Sequence, residues 1–446
     1  MPSWTPDSWQ SRSVAQAIPY ADPAALATAL ARLRELPPLV TSWEIDRLRA
    51  QLGEAEEGNR FVLQGGDCAE SFADCRPEVI TNKLKILLQM SLVLIHGGRR
   101  PVTRIGRFAG QYTKPRSSAT ERRASLELPS YFGDSVNEPA FSAEARRPEP
   151  ARLVAAHQHA ALTLNYVRSL SAGGFADLHH PEYWDLSFFE RADLSSDLRA
   201  HYQRVTDEIG TALGFMEAAL SAPLAETNRV EFFTSHEGLN LHYEAAQTRA
   251  GDHSGGYYDL STHLPWIGER TRQLDGAHVE FFRGIENPVG VKLGPSVTPD
   301  EVLALCAALN PKNLPGRLVL ITRMGKDRIA SVLPPLVRAV RAAKRRALWV
   351  SDPMHGNTKV TRSGIKTRDM EDVLQELEAA FGVHREEGSR LGGIHFELTG
   401  EDVTECIGGG IAEPDLGKNY GTLCDPRLNY RQALEVALRV ARLARG

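Results

Sequence analysis

A (β/α)8 barrel is the fold class this sequence predicts, and three observations predict it. From residue 61 onward, eight short apolar segments rich in strand formers recur, each followed by a helix-sized stretch. Several of these segments end in a thiol, an imidazole, a carboxylate or a cation, and barrels collect such side chains at the carboxyl ends of their strands. The length of 446 residues could hold two or three average domains, but it also suits one barrel with insertions. An open doubly wound sheet accommodates the same alternation and stands as the alternative.

Residues 1–22 read as an extended arm with little periodicity, and residues 24–36 as a helix stopped by Pro37-Pro38. Thr41-Ser-Trp-Glu44 is a capping-box pattern opening a helix that carries Ile45, Leu48 and Leu52 on one face and ends near Gly58. Residues 1–60 are thus an amino-terminal arm with helices, and 61–446 the barrel. Its strands are expected at 61–66, 102–108, 231–236, 264–269, 288–293, 317–323, 347–353 and 393–399. About 120 residues separate the second strand from the third, where a crossover needs only ~30. This gap predicts a helical insert over about 139–228, preceded by a loop over 117–150, with helices at 151–170 and 194–220. Such helices serve assembly or regulation, or simply cover the barrel.

Composition narrows the function class. Apolar residues make up 42% and charged residues 24%, enough to bury a core, and the net charge of −4 gives no reason to expect nucleic acid or an anionic membrane. The longest apolar run, 86–95, is too short to span a bilayer. The amino terminus lacks the basic and apolar regions of a secretion signal, so a cytoplasmic location is expected. Five widely spaced cysteines without a Cys-x-x-Cys pair argue against a disulfide scaffold or a zinc ribbon.

Three strand ends draw attention as ligand donors. Phe61-Val-Leu-Gln-Gly-Gly-Asp-Cys68 ends in a cysteine, Trp349-Val-Ser-Asp-Pro-Met-His355 in a histidine, and Gly393-Ile-His-Phe-Glu397 in a glutamate. A second set is cationic. Arg104-Ile-Gly-Arg107-Phe-Ala-Gly-Gln-Tyr-Thr-Lys114-Pro-Arg116-Ser117 places cations among small residues at a strand end, which fits a phosphate or carboxylate seat. Lys292 and Arg323 fall inside apolar strands, where an unpaired charge costs several kcal/mol. The sequence offers too few acids at matching places, so the expected substrate carries at least two strongly anionic groups, with phosphates the expected form.

Together these motifs resemble a known family. Gln-Gly-Gly-Asp-Cys68-Ala-Glu-Ser-Phe, Arg107-x-Ala-Gly-Gln-Tyr-x-Lys-Pro-Arg-Ser, Thr-Ser-His-Glu237, Trp-Ile-Gly-Glu269-Arg270-Thr-Arg, Asn-Pro-Val-Gly-Val-Lys292-Leu-Gly-Pro, Asp-Pro-Met-His355-Gly-Asn-Thr and Thr-Glu-Cys406-Ile-Gly-Gly are similar to class II 3-deoxy-D-arabino-heptulosonate 7-phosphate (DAHP) synthases. The likeness runs from about residue 24 to 440 in the family's order.

The resemblance implies condensation of phosphoenolpyruvate with erythrose 4-phosphate, the first step of the shikimate pathway. It implies a divalent metal, Mn²⁺ or Co²⁺ with Fe²⁺ and Zn²⁺ also compatible, held by Cys68, His355, Glu397 and Asp425. It assigns phosphoenolpyruvate to Arg107, Glu269, Arg270, Lys292 and Arg323, and the aldose phosphate to Lys114, Pro115, Arg116 and Ser117. Lys292 and Glu269 are the expected catalytic groups.

It also implies a homo-oligomer, a dimer or tetramer, with aromatic amino acids as effectors. The chain departs from the family's pattern at Phe132, where an arginine is usual, and at Ser351, where a cysteine is common. An amino or imino analogue of the aldose, as used by antibiotic-pathway relatives, stays open as a substrate. So does a Schiff-base aldolase built on Lys292. Because Cys424 precedes Asp425, and successive Cα atoms are ~3.8 Å apart, a shared site would bring Cys424 close to Cys68. A reversible Cys68–Cys424 disulfide in metal-free protein is the expectation that follows.

Overall fold

The computed structural model describes residues 4–173, 230–251 and 255–445, together with positions 200, 204 and 207. Eight parallel strands close on themselves: Phe61–Gly66, Val102–Arg107, Phe233–Glu237, Leu264–Ile267, Val289–Leu293, Leu318–Thr322, Leu348–Ser351 and Leu391–Glu397. They pair in chain order, and the eighth pairs with the first through Gln64 opposite His395 and Gly66 opposite Glu397. Closure removes the open doubly wound sheet from consideration. Every expected strand is present. The expected ends at 269, 353 and 399 overran the ladder by two residues each, because the chain turns away from its neighbours where the loops begin.

The inward face is layered. Val62, Ile105, Phe233, Trp266, Ile321 and Val350 point into the barrel and pack with Leu48, Leu52 and Ala55 of helix Ser42–Glu57. That helix plugs the amino-terminal end. It opens on the expected capping box, with Thr41 Oγ1 accepting the Glu44 N–H at 3.3 Å and Glu44 Oε2 accepting the Thr41 N–H at 2.9 Å. It stops at Gly58, whose φ of 87° suits glycine.

Because side chains on a strand alternate with period two, the same inward face continues toward the carboxyl end as Gln64, Arg107, Glu237, Lys292, His395 and Glu397. All six are buried. The apolar half of the barrel therefore carries the fold, and the polar half carries the chemistry.

Outside, helix Pro77–Gly98 packs against Tyr430–Leu443 so closely that a Cβ on Gly97 would lie 2.3 Å from Cβ of Ala441. Taken whole, Pro77–Gly98 has 22 residues and is apolar enough to cross a membrane by length and composition, which corrects the reading of its apolar run as too short. In the fold it lies in the coat of the barrel with most of its side chains buried. Helix Ala151–Ala172 of the insert is present as expected and packs on Pro23–Glu35 and Pro77–Gly98. The helix expected at 194–220 lies outside the described residues. The amino-terminal arm is anchored rather than free: Trp9 is buried, and Trp4 Nε1 donates to Glu280 O at 2.9 Å.

Candidate active site

At the carboxyl-terminal mouth of the barrel, a cleft of about 480 Å³ is lined by Arg107, Lys114, Arg116, Arg270, Lys292, Arg323 and Lys366. Glu237, Glu269 and Asp425 are the carboxylates on its wall, and His355, Cys424, Pro115 and Ser117 also line it. Seven cations outnumber the three acids on its wall, a surface that favours an anionic occupant, while Asp352, Glu397 and Glu121 behind the wall pair with Lys292, Arg107, Lys114 and Arg116.

The expected ligand set converges. Cys68 Sγ and carboxylate oxygens of Glu397 and Asp425 lie within 4.8 Å of one another. His355 Nε2 stands 3.0 Å from Glu397 Oε1, so the imidazole adjoins the cluster. Cys68 Sγ accepts the Asp425 backbone N–H at 3.2 Å and its thiol donates to Asp425 Oδ2 at 3.4 Å. A thiol, an imidazole and two carboxylates gathered in one pocket make a mixed sulfur, nitrogen and oxygen donor set that fits a divalent transition metal. Burial pushes the Cys68 thiol up, and its neighbours Cys424 and Glu397 push it the same way. A hydrogen bond to Cys68 lowers the Cys424 thiol, so the two sulfurs are in contact, as expected from the position of Cys424 next to Asp425.

Glu397 is the hub of the cluster. Arg107 Nη2 lies 3.0 Å from its Oε1, Lys114 Nζ 3.4 Å from the same oxygen, and Arg368 Nη1 2.7 Å from Oε2. Burial opposes its ionisation, yet His355, Lys114, Arg368 and Arg107 hold its carboxyl well below the usual range.

Two readings of the cations need correction. Lys292 does lie in a strand, but the chain supplies its counter-charge: Nζ pairs with Asp352, just past the end of the seventh strand and two strands away around the barrel. Burial brings Lys292 down to about 8, with Asp352 working the other way. Arg323 is one residue past its strand, half-buried, with Nη2 donating to His355 O at 2.7 Å. Neither charge therefore demands an external anion for its own sake. What favours an anionic substrate is instead the excess of cations over acids on the cleft wall.

Of the remaining expected residues, Arg270 is exposed on the rim, and Glu269 Oε2 accepts the Gly294 N–H at 2.6 Å. Arg116 is held from both sides: its N–H donates to Gln16 Oε1 of the arm at 2.8 Å, and its Nη2 meets Glu121 at 3.0 Å. Phe132 is buried and does not line the cleft; its carbonyl accepts the Lys114 N–H at 2.8 Å. Ser351 is likewise buried.

Sequence reasoning missed several members of the site. Asp352 stands inside the motif that ends in His355, and nothing local marks its partner Lys292. His395 shares the inward face with Glu397 two residues on, and its Nε2 lies 2.6 Å from Arg107 Nη1 and 3.2 Å from Lys292 Nζ. Lys366 and Arg368, on one face of the hairpin Thr358–Val360/Lys366–Arg368, reach Asp425 and Glu397 respectively. Their spacing of two was a usable signal. Their partners, distant in sequence, were not.

The sequence profile described as the Class-II DAHP synthetase family matches residues 4–441. A Neurospora crassa protein named phospho-2-dehydro-3-deoxyheptonate aldolase is 47% identical over 99% of this chain and 94% of its own length. A Streptomyces coelicolor protein of the same name is 48% identical over 98% of this chain and 97% of its own. A solved structure of phospho-2-dehydro-3-deoxyheptonate aldolase from Francisella tularensis is similar at 14% identity and a TM-score of 0.45, covering 94% of this chain and 97% of that one.

Proposed function

Since the chain belongs to the class-II DAHP synthetase family, we propose that it condenses phosphoenolpyruvate with erythrose 4-phosphate and one water to form 3-deoxy-D-arabino-heptulosonate 7-phosphate and inorganic phosphate, the opening step of the shikimate pathway. One observation carries this reading: the cleft lined by the cations that two phosphorylated substrates need is also lined by His355 and Asp425, which adjoin Cys68 and Glu397.

The residues divide the work by position. Arg107, Lys292 and Arg323, at the inner wall, receive the carboxylate and phosphate of phosphoenolpyruvate, with Arg270 at the rim and Glu269 fixing the loop after the fifth strand through Gly294. Lys114, Arg116 and Ser117, which line the same cleft, receive the aldose phosphate. Trp266 floors the seat, its ring centre 5.2 Å from the Arg107 guanidinium and 5.7 Å from Lys292 Nζ, and its π face supports both cations. A divalent ion held by Cys68, His355, Glu397 and Asp425, of which Mn²⁺ or Co²⁺ suits the mixed sulfur, nitrogen and oxygen donors, would supply Lewis-acid polarisation of the aldehyde oxygen. Lys292 is placed to carry a proton: its Nζ pairs with Asp352, which in turn takes His355 Nδ1 at 2.7 Å.

Phosphate release from the two substrates together, with product identified by mass, tests this. Turnover only with an amino or imino aldose phosphate would move the assignment to aminoDAHP synthesis, but the placement of Phe132 behind Lys114 favours the ordinary aldose. Borohydride trapping of the enzyme with substrate would reveal a Schiff base at Lys292, and none is expected. The reading extends to assembly and control: the anchored arm and the insert helix Ala151–Ala172 support a homo-oligomer responsive to aromatic amino acids. Light scattering and inhibition assays with each amino acid check it.

A further inference from the structure

Arg323 and His355 sit on adjacent loops, after the sixth and seventh strands, and neither loop has regular structure to hold it. Helix Met370–Glu386 supplies the hold. Glu376, fully buried on that helix, accepts the Met324 N–H at 2.8 Å through Oε1 and the Asn357 Nδ2–H at 2.7 Å through Oε2. Asn357 in turn accepts the Lys326 N–H at 3.0 Å through Oδ1 and donates to Pro353 O at 2.8 Å. Between these brackets the two loops touch backbone to backbone: a Cβ on Gly356 would stand 2.2 Å from Gly325 N. The Arg323 side chain then closes the circuit on His355 O.

We propose that Glu376, which touches neither the cleft nor the ligand cluster, is a positioning residue that sets the distance between the phosphoenolpyruvate seat at Arg323 and the metal ligand His355. The inference rests on the function reading above. Its chemistry is specific to a carboxylate. Both partners of Glu376 are donors, and Asn357 cannot reverse its amide to meet a donor without setting Nδ2 against the Lys326 N–H and Oδ1 against Pro353 O. Glutamine at 376 keeps the volume and leaves one donor facing another. A buried clash of that kind opens one loop or the other.

The test uses the full chain with three probes. For Glu376→Gln, Mn²⁺ affinity by titration and phosphoenolpyruvate affinity by titration of the Mn²⁺-loaded protein should each fall about tenfold or more. The secondary-structure spectrum should remain that of the wild type. The double variant Glu376→Gln with Asn357→Asp gives the glutamine amide an acceptor and should recover part of both affinities, a response that generalised loosening would not show. Should Glu376→Gln fail to fold, Asn357→Ala removes one arm of the bracket and is read the same way. Wild-type affinities for both probes in a folded variant, or a lowered melting temperature without either loss, overturn the proposal. A wild-type protein that binds neither probe instead overturns the function reading, and these outcomes are distinguishable.

Discussion

His355 leaves the seventh strand four residues after its last ladder position, and Asp352 fixes it there by accepting its backbone N–H at 3.3 Å and its Nδ1 at 2.7 Å. That orientation leaves Nε2 directed at Glu397. His355→Ala should therefore lose most bound metal and turnover while the far-ultraviolet spectrum stays unchanged; undiminished metal content would show the ligand to be misassigned. Lys292 gives a second prediction, in pH. Its ammonium form, paired with Asp352, dominates below about 8 and is lost above it. If Lys292 delivers a proton, kcat should fall as pH rises through about 8, and a profile flat to pH 10 would remove it from that role. The stability linkage has its own sign. Between about 8 and the ordinary lysine value near ~10.4 the unfolded chain binds more protons, so this group makes stability rise with pH over that window.

Among the elements, helix Ser42–Glu57 does work that its surface position in sequence conceals. Leu48 and Leu52, both fully buried, close the amino-terminal end of the barrel against Val62, Ile105 and Leu348. Leu52→Ala leaves a hole beneath the first layer of inward side chains, where the strands cannot collapse without breaking the ladder. It should cost about 2–5 kcal/mol in denaturant unfolding. Thr41→Ala, which removes only the cap, should cost about 1 kcal/mol. Equal losses from both would mean that the plug contributes as a helix and not as packing. The hairpin Thr358–Val360/Lys366–Arg368 is the counterpart at the other end: through Arg368 it restrains Glu397, and through Lys366 it restrains Asp425.

For the whole molecule, the separation of an apolar lower barrel from a polar upper one predicts that metal and fold are separable. Eight paired strands and the plug need no ion, so chelation should abolish turnover and leave the barrel's spectrum intact. Added Mn²⁺ should raise the melting temperature in proportion to its logarithmic excess over the dissociation constant. Air oxidation of the chelated protein should yield a reducible Cys68–Cys424 link in a peptide map, since the two thiols touch, and the loaded protein should resist it. Free thiols at both positions after oxidation would count against the pairing.

The sequence by itself determined the barrel, its eight strands, the capped helix before them and the thiol, imidazole and carboxylate that lie at or just past strand ends. Each of these is written locally, in two-residue alternation, in a cap, or in a motif a few residues long. It also carried the candidate cations, because charges at the carboxyl ends of apolar strands have one place to go. Only the tertiary structure decided who neutralises whom. Lys292 meets Asp352, Glu397 meets Arg107, Lys114 and Arg368, and Glu376 ties two loops from a helix that follows both. Those pairings join residues that share no period and no motif, and they exist because closing the sheet brings all eight strand ends around one axis. A buried charge is stable only with its partner, and the partner becomes visible only when the barrel is closed.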